Sequence, residues 1–498
     1  MPDLSHIVTA FGSALSVEQL FITLWATLLG VVIGMMPGLT ATMGLALLTT
    51  LTFQMDSGSA ITALLGMYVG SIYGGSRTAI ILNMPGTPAS AATTLDGYPL
   101  ARKSRAREAL GLATVGSLFG TLAGVILLVF TAPILAGYAL KFGSYEFFWL
   151  ALFGVVISGR LTSMDDPLKG WIAGFLGLIL AMVGQEQVFA FARYSFDYQP
   201  LTGGISLIPA MVGAFGLAEI LSNITGSKTP IVAENKGRIL PRFRELFRYS
   251  PTIGRSGVAG TLMGLIPGVG EDIGAWVSYA IAKRFSREKD QFGKGSKEGL
   301  IAAETGNSAA VPGAIIPVLT LGIPGSAPSA VLLAAMVIHG IQPGPMIMIQ
   351  SAGMVYGVVA AIVLSALAMT LYGILLTSPL LMVLRIPRER LLPIIFVLCV
   401  VGAFAIAARE FDVWVMLAFG SFGFILRQMN YPMAPLVLGL VLGEILDKNL
   451  RRGLILSEGS LEPFFTRPVS AVLAIATLLS ILAIVFAGIR SIRGIKSE

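Results

Sequence analysis

Two short segments carry the residue types from which a seat for an anion is built. Asn83, Pro85, Gly86, Thr87, Pro88 and Ser90 stand together in NMPGTPASA, and GIPGSAPSA repeats the pattern with Pro324, Gly325, Ser326, Pro328 and Ser329. Proline removes a backbone donor and glycine permits left-handed dihedrals, so a helix stops there; the Thr or Ser that follows can cap a new one. A helix that begins inside an apolar medium points free N–H groups and its positive dipole end forward, where a carboxylate fits. The hydroxyls of Thr87, Ser90, Ser326 and Ser329, with Asn83 just before, can bond such a substrate, and unwound carbonyls suit a hard cation such as Na+. The same residue types also make plain surface turns. Duplication within apolar sequence favours the tips of two re-entrant hairpins that meet near the bilayer midplane.

Other chemistry-bearing residues lie nearby. GMMPGLTAT and GLIPGVGED form a second duplicated pair, which makes Gly38, Thr40, Thr42, Gly268 and Gly270 second-rank candidates. Glu271 and Asp272 open a helix, where the dipole favours them as a capping pair at the interface over a cation site. Arg77 is the lone cation of a long uncharged stretch, to attract an anion or to pair structurally. Glu304 and Asn307 in ETGNSAA are costly to bury unless they bind something or bond between helices. Asp96, before GYP, reads as a turn residue, Glu219 and Glu444 as helix ends near the interface, and His339 as a packed or interfacial histidine.

The elements that position these residues must live in lipid. Of 498 residues 55% are hydrophobic and only 12% charged, against about 25% charged in soluble domains, and the mean hydropathy is +0.82. Roughly eleven to thirteen crossings of about twenty residues each are expected. The 58 glycines and 26 prolines suit helices that pack closely or break over a polar cavity. A single cysteine, Cys399, and two histidines argue against a disulfide framework, a Cys-rich metal site or a His-based one. The net charge of +7 sits in a few loops, as the positive-inside rule arranges it, so nucleic acid gains no support as a partner. No Lys or Arg precedes Arg77, so no cleaved signal peptide is expected.

The chain repeats itself. The two duplicated motifs occur in the same order in each half, and GLAEIL at residues 216–221 pairs with LGEILDKN at 442–449. Between the motifs, half one has QMDSGS without Lys or Arg and half two has the basic residues 283–297; after the second motif the pattern reverses, with ARKSRAR at 101–107 against the uncharged 341–350. Matched loops of which one is basic and the other lacks Lys and Arg indicate inverted topology. The division expected is 1–226 for the first half, 227–254 for a basic cytoplasmic linker, 255–452 for the second half, and 453–498 for a C-terminal transmembrane segment with a basic tail. The N-terminus should lie outside. DKNLRRG at 447–453 is basic where inversion expects the outer side.

At these motifs the chain resembles the large membrane subunit of the tripartite tricarboxylate transporter family, the TctA type, over nearly its whole length. The blocks that carry the likeness are GMMPGLTATMGLALLTTLTF, MYVGSIYGGSRTAIILNMPGTPASAATTLDGYPLARK, GLIPGVGEDIGAWVSYAIAKRF, IPVLTLGIPGSAPSAVLLAAM and GIQPGP. The resemblance implies a cation-coupled, Na+-driven importer of citrate-like organic acids, with no enzymatic activity, in the bacterial inner membrane. It also implies a small membrane subunit of TctB type and a periplasmic solute-binding protein of TctC type. It carries over onto Pro37, Gly38, Tyr73, Gly74, Gly75, Asn83, Pro85, Gly86, Thr87, Pro88, Pro267, Gly268, Gly270, Pro324, Gly325 and Ser326. ETGNSAA and GVGED depart from the family's usual runs, and both sit beside the proposed site. The expected fold is an all-α polytopic membrane protein with two inverted repeats that works as an elevator-like secondary transporter. Rival readings are a rhomboid-type serine protease, with Ser256 of GRSG as nucleophile and His339 as base, an anion channel, and a purely structural subunit.

Overall fold

The structure, a computed structural model, describes residues 4–36, 39–162, 166–223, 239–241, 243–383, 388–405 and 407–495. It is predominantly helical. Among the described residues the only strands are a two-residue antiparallel ladder that pairs Gly184 with Arg193 and Gln185 with Ala192. Val17–Met35, Pro88–Ala139 and Ala352–Leu375 are long and apolar enough to cross a membrane, and shorter apolar helices include Ala41–Leu51, Pro167–Ala181 and Ala327–Ile338. This is an architecture compatible with a polytopic membrane protein.

Two long helices at the centre are polar for that setting. Ser57–Leu82 and Lys297–Leu321 hold Gly, Ser and Thr along with Arg77 and Glu304, and both are buried over almost their whole length. Small residues let their neighbours approach backbone to backbone. Val17–Met35 runs parallel to Ser57–Leu82 with Gly30 on Met67, Gly34 on Ser71 and Gly74 on Val31, contacts so close that an added Cβ would strike a carbonyl. Phe243–Leu265 packs in the same manner on Lys297–Leu321, through Gly260 on Gly306 and Gly264 on Ala310.

In the second half of the sequence the chain reverses at GLIPGVGED, not at GIPGSAPSA. After Leu265 the chain turns through Pro267 and Gly268 and returns as Gly270–Phe285, with Gly274 facing Gly260 and the Ser278 hydroxyl donating to the Ser256 carbonyl at 3.2 Å. These pairings are antiparallel. In half one Gly44 of Ala41–Leu51 likewise faces Ile33; Pro37 and Gly38 fall outside the described residues.

The second motif pair does something else. Ser57–Leu82 ends on Asn83 at φ 55°, and the chain then climbs back so that the Gly86 N–H bonds the Gly75 carbonyl at 3.3 Å. It restarts in its original direction, because Gly75 meets Thr87 and, further on, Ile80 meets Gly97. The expected hairpin tip is therefore a break inside a parallel course. Lys297–Leu321 behaves alike: it ends on Gly322 at φ 68°, returns to Ala314 at Gly325, and resumes as Ala327–Ile338, with the Gly344 N–H on the Leu319 carbonyl at 3.0 Å.

The two basic loops gather at one end of the molecule. Lys103 donates to the Lys294 carbonyl at 2.6 Å, and Lys297 bridges Glu108 at 2.7 Å and Glu245 at 2.5 Å. The weakly charged segments that follow Leu51 and Ile338 meet elsewhere, where Thr52 and His339 lie 3.5 Å apart. In the basic stretch 447–453, Asp447 pairs with Arg193 at 2.9 Å and with Arg451 at 3.1 Å, so part of that charge is cancelled in place.

Helices late in each half of the sequence pack on one another. Pro167–Ala181 packs on Met433–Leu456 through Gly177 on Leu436 and Gly439 on Gly174, while Val212–Leu217 packs on Glu410–Gln428 through Gly213 on Met416. Cys399 is fully buried, close to Gly216. Glu219 is buried and ion-paired with Arg427, and Glu444 accepts a bond from Gln187 at 3.3 Å.

Candidate functional site

The two breaks share one stereochemistry. Gly86 and Gly325 each follow by eleven residues a small residue, Gly75 or Ala314, whose Cα would lie 2.8 Å from an added Cβ. Gly86 also abuts the Gly34 carbonyl and Gly325 the Gly264 carbonyl. Each restart is capped. The Thr87 N–H donates to Ser90 Oγ at 3.3 Å, and the Ser90 hydroxyl donates to the Thr87 carbonyl at 2.8 Å. The Ser326 N–H donates to Ser329 Oγ at 2.8 Å, and the Ser329 N–H donates to Ser326 Oγ at 3.3 Å. Such reciprocal caps fix the first turn of a helix. Ser90 and Ser329 therefore shape the helix starts, while Thr87 and Ser326 stand at their entrances.

Both breaks abut one face of Ser57–Leu82. Tyr68 places its hydroxyl 2.8 Å from Ser326 Oγ, and Gly75 meets Thr87. Positions seven apart share a helix face, two turns or about 10 Å from each other. The helix is 26 residues long, about 39 Å, so one break lies level with its middle at Tyr68 and the other, at Gly75, about 10 Å short of its end.

Acidic groups stand beside each break. The Tyr68 hydroxyl donates to Glu271 at 3.1 Å. Glu271 is 2% exposed and stands with Asp272, which is half-buried, in the first turn of Gly270–Phe285. Close packing of Gly270 on Ser326 carries it there, and Gly268 at φ 80° and Gly270 at φ 57° adopt the left-handed turn that only glycine takes without strain. On the other side Glu304, wholly buried, accepts from Ser76 at 2.5 Å, Ser117 at 3.1 Å and Thr93. Asn307 is one turn further along, equally buried, and neither atom of its amide has a hydrogen-bond partner among the described residues. Lys297–Leu321 runs antiparallel to Ala91–Leu100, since Gly299 meets Asp96 and Glu304 meets Thr93. Asn307 is thereby level with Ser90, beside the first break.

Other expected residues are elsewhere. Arg77 faces away, towards the carboxyl end of Ala352–Leu375, and donates to Tyr73 at 2.9 Å, to the Gly373 carbonyl at 2.8 Å and to Thr377 at 3.4 Å. Thr40 caps Ala41–Leu51 through the Met43 N–H at 3.2 Å, and Thr42 is buried in that helix. Asp96 is no turn residue. It lies within Ala91–Leu100 and accepts the N–H groups of Gly293, Gly295 and Ser296 at 2.9, 2.8 and 2.7 Å, with the Tyr279 hydroxyl at 2.8 Å. Ser256 Oγ is buried without a partner among the described residues, so no bond joins it to His339, which lies against Thr52.

Tyr68, Ser76, Thr93 and Ser117 escaped the sequence reading. A signal for the first existed: the spacing that aligns Gly86 with Gly325 also aligns Tyr68 with Asn307.

Comparison with known proteins gives one family. The model described as "Tripartite tricarboxylate transporter TctA family" matches residues 20–438. An Agrobacterium vitis protein described as "Uncharacterized 52.8 kDa protein in TAR-I ttuC' 3'region" is 35% identical over 495 residues, which cover 99% of this chain and 98% of the relative. A second from Agrobacterium vitis, "Uncharacterized protein in TAR-II ttuC' 3'region", is 33% identical over 234 residues, 47% of this chain and 97% of the relative. No solved structure matches.

Proposed function

Because the chain belongs to the tripartite tricarboxylate transporter TctA family, we propose that it is the translocating subunit of a cation-coupled importer of small organic acids such as tricarboxylates. The observation that carries this reading is the pair of capped helix starts on one face of Ser57–Leu82. Each start turns the positive end of its helix dipole towards a negative guest. Matched breaks in the two halves support two repeats, and the separation of basic from weakly charged loops supports their inversion. The basic end then faces the cytoplasm and the N-terminus the periplasm, in the bacterial inner membrane.

The repeats correspond to 1–226 and 255–452, with 227–254 as linker and 453–498 as a terminal span and tail. One bundle moves against the other in elevator fashion, with Na+ as the driving ion. A small membrane subunit of TctB type and a periplasmic binding protein of TctC type complete the system. The test is uptake of labelled citrate into proteoliposomes that hold this chain with those partners. Saturable uptake that collapses without a Na+ gradient is expected; ohmic anion current, or no uptake of any di- or tricarboxylate, overturns the reading.

A further inference from the structure

We infer that Glu304 and Asn307 form a seat for one alkali cation beside the first break. Glu304 is wholly buried, and no Lys, Arg or His among the described residues pairs with it. Three hydroxyls donate to its carboxylate, an arrangement that fits the ionised form and stabilises its charge without cancelling it. Asn307, on the same side of the helix one turn on, buries an amide with neither atom bonded, and beside an uncompensated carboxylate a bound ion is an explanation that fits such an orphaned group.

A proton on Glu304 would remove the charge but leave Asn307 unpaired. A water would pair Asn307 but leave the charge. A cation held by the Glu304 carboxylate and Asn307 Oδ1, with the hydroxyl oxygens of Ser76 and Thr93 at hand, offsets the charge and gives the amide oxygen a partner at once. These are hard oxygen donors, the type that takes alkali or alkaline-earth ions rather than soft metals.

The position of the seat gives it a consequence for the anion. Thr93 of the seat and Ser90 of the first cap are one turn apart on the same chain segment, so an empty seat turns a bare negative charge towards the entrance at Thr87. Filling it removes that repulsion, and by linkage the anion strengthens cation binding by the same factor. This last step rests on the carboxylate reading given above; the seat itself does not.

The test is binding of radiolabelled Na+ to the purified full chain in lipid nanodiscs, with no organic acid present. Saturable binding is expected, weakened at least tenfold in Glu304→Gln and Asn307→Ala and unchanged in Ser256→Ala. Asn307→Asp keeps an oxygen ligand and adds charge, so it should bind Na+ at least as tightly as the parent. A parent protein that binds no Na+, or Glu304→Gln and Asn307→Ala variants that bind it normally, overturns the proposal. Should Glu304→Gln fail to elute as a folded species, the Asn307 pair decides: equal Na+ affinity in the Ala and Asp variants overturns it. Labelled citrate in the same assay should bind the parent only with Na+ and Glu304→Gln without it. Citrate that binds neither counts against the carboxylate reading, and the seat is then decided by the Na+ data alone.

Discussion

Ser76 and Arg77 are neighbours in sequence and opposites in role. One step along a helix turns a side chain by about 100°, so Ser76 meets Glu304 while Arg77 reaches the Gly373 carbonyl. The guanidinium sits at the carboxyl end of Ala352–Leu375, where helix carbonyls accept a cation. Its removal is a loss of fixed hydrogen bonds rather than of substrate contact. Arg77→Met should lower stability by about 1–3 kcal/mol and leave the KM for the acid unchanged, read by thermal unfolding and by concentration-dependent uptake. A tenfold rise in KM at unchanged Tm would reassign Arg77 to the anion path. Residue types alone left both roles open, because direction around a helix is set by which neighbours close on it.

At the level of elements, Pro and Gly in the sequence marked where helices stop and were silent on how they resume. Both motif pairs were legible as breaks, yet the reversal was expected at Pro85 and Pro324 and occurs after Leu265 in half two. What decides the course is the seating of Gly86 on the Gly34 carbonyl and of Gly325 on that of Gly264, contacts between segments distant in sequence. Asp96 and Tyr68 were hidden for the same reason: their partners are 183 to 258 residues away. A methyl group at either glycine has no room, so Gly86→Ala and Gly325→Ala should each destabilise by about 1–3 kcal/mol or more and abolish uptake. Gly137, with open space around it, supplies the contrast: Gly137→Ala should be neutral or stabilise by up to about 1 kcal/mol. Equal melting temperatures across the three variants would show that the seating is not what holds the breaks.

Across the whole molecule the halves are bound to each other at several heights. Asp96, just past the first break, holds the loop that joins Gly270–Phe285 to Lys297–Leu321, and Tyr68 of half one holds Ser326 of half two. The breaks and their acids are thus framed by both halves at once. The two ends differ in charge, which yields a directional prediction: His339→Cys should react with a membrane-impermeant maleimide on intact spheroplasts, and Lys103→Cys only once the membrane is opened. The reverse pattern would invert the orientation proposed above. Cys399 makes this measurement simple. Sealed in the interior next to Gly216, the natural thiol should stay dark to such reagents, so the unaltered chain serves as its own blank. The same silence makes it an alarm: fluorescence gained by the parent protein on warming would time the moment at which its interior comes apart.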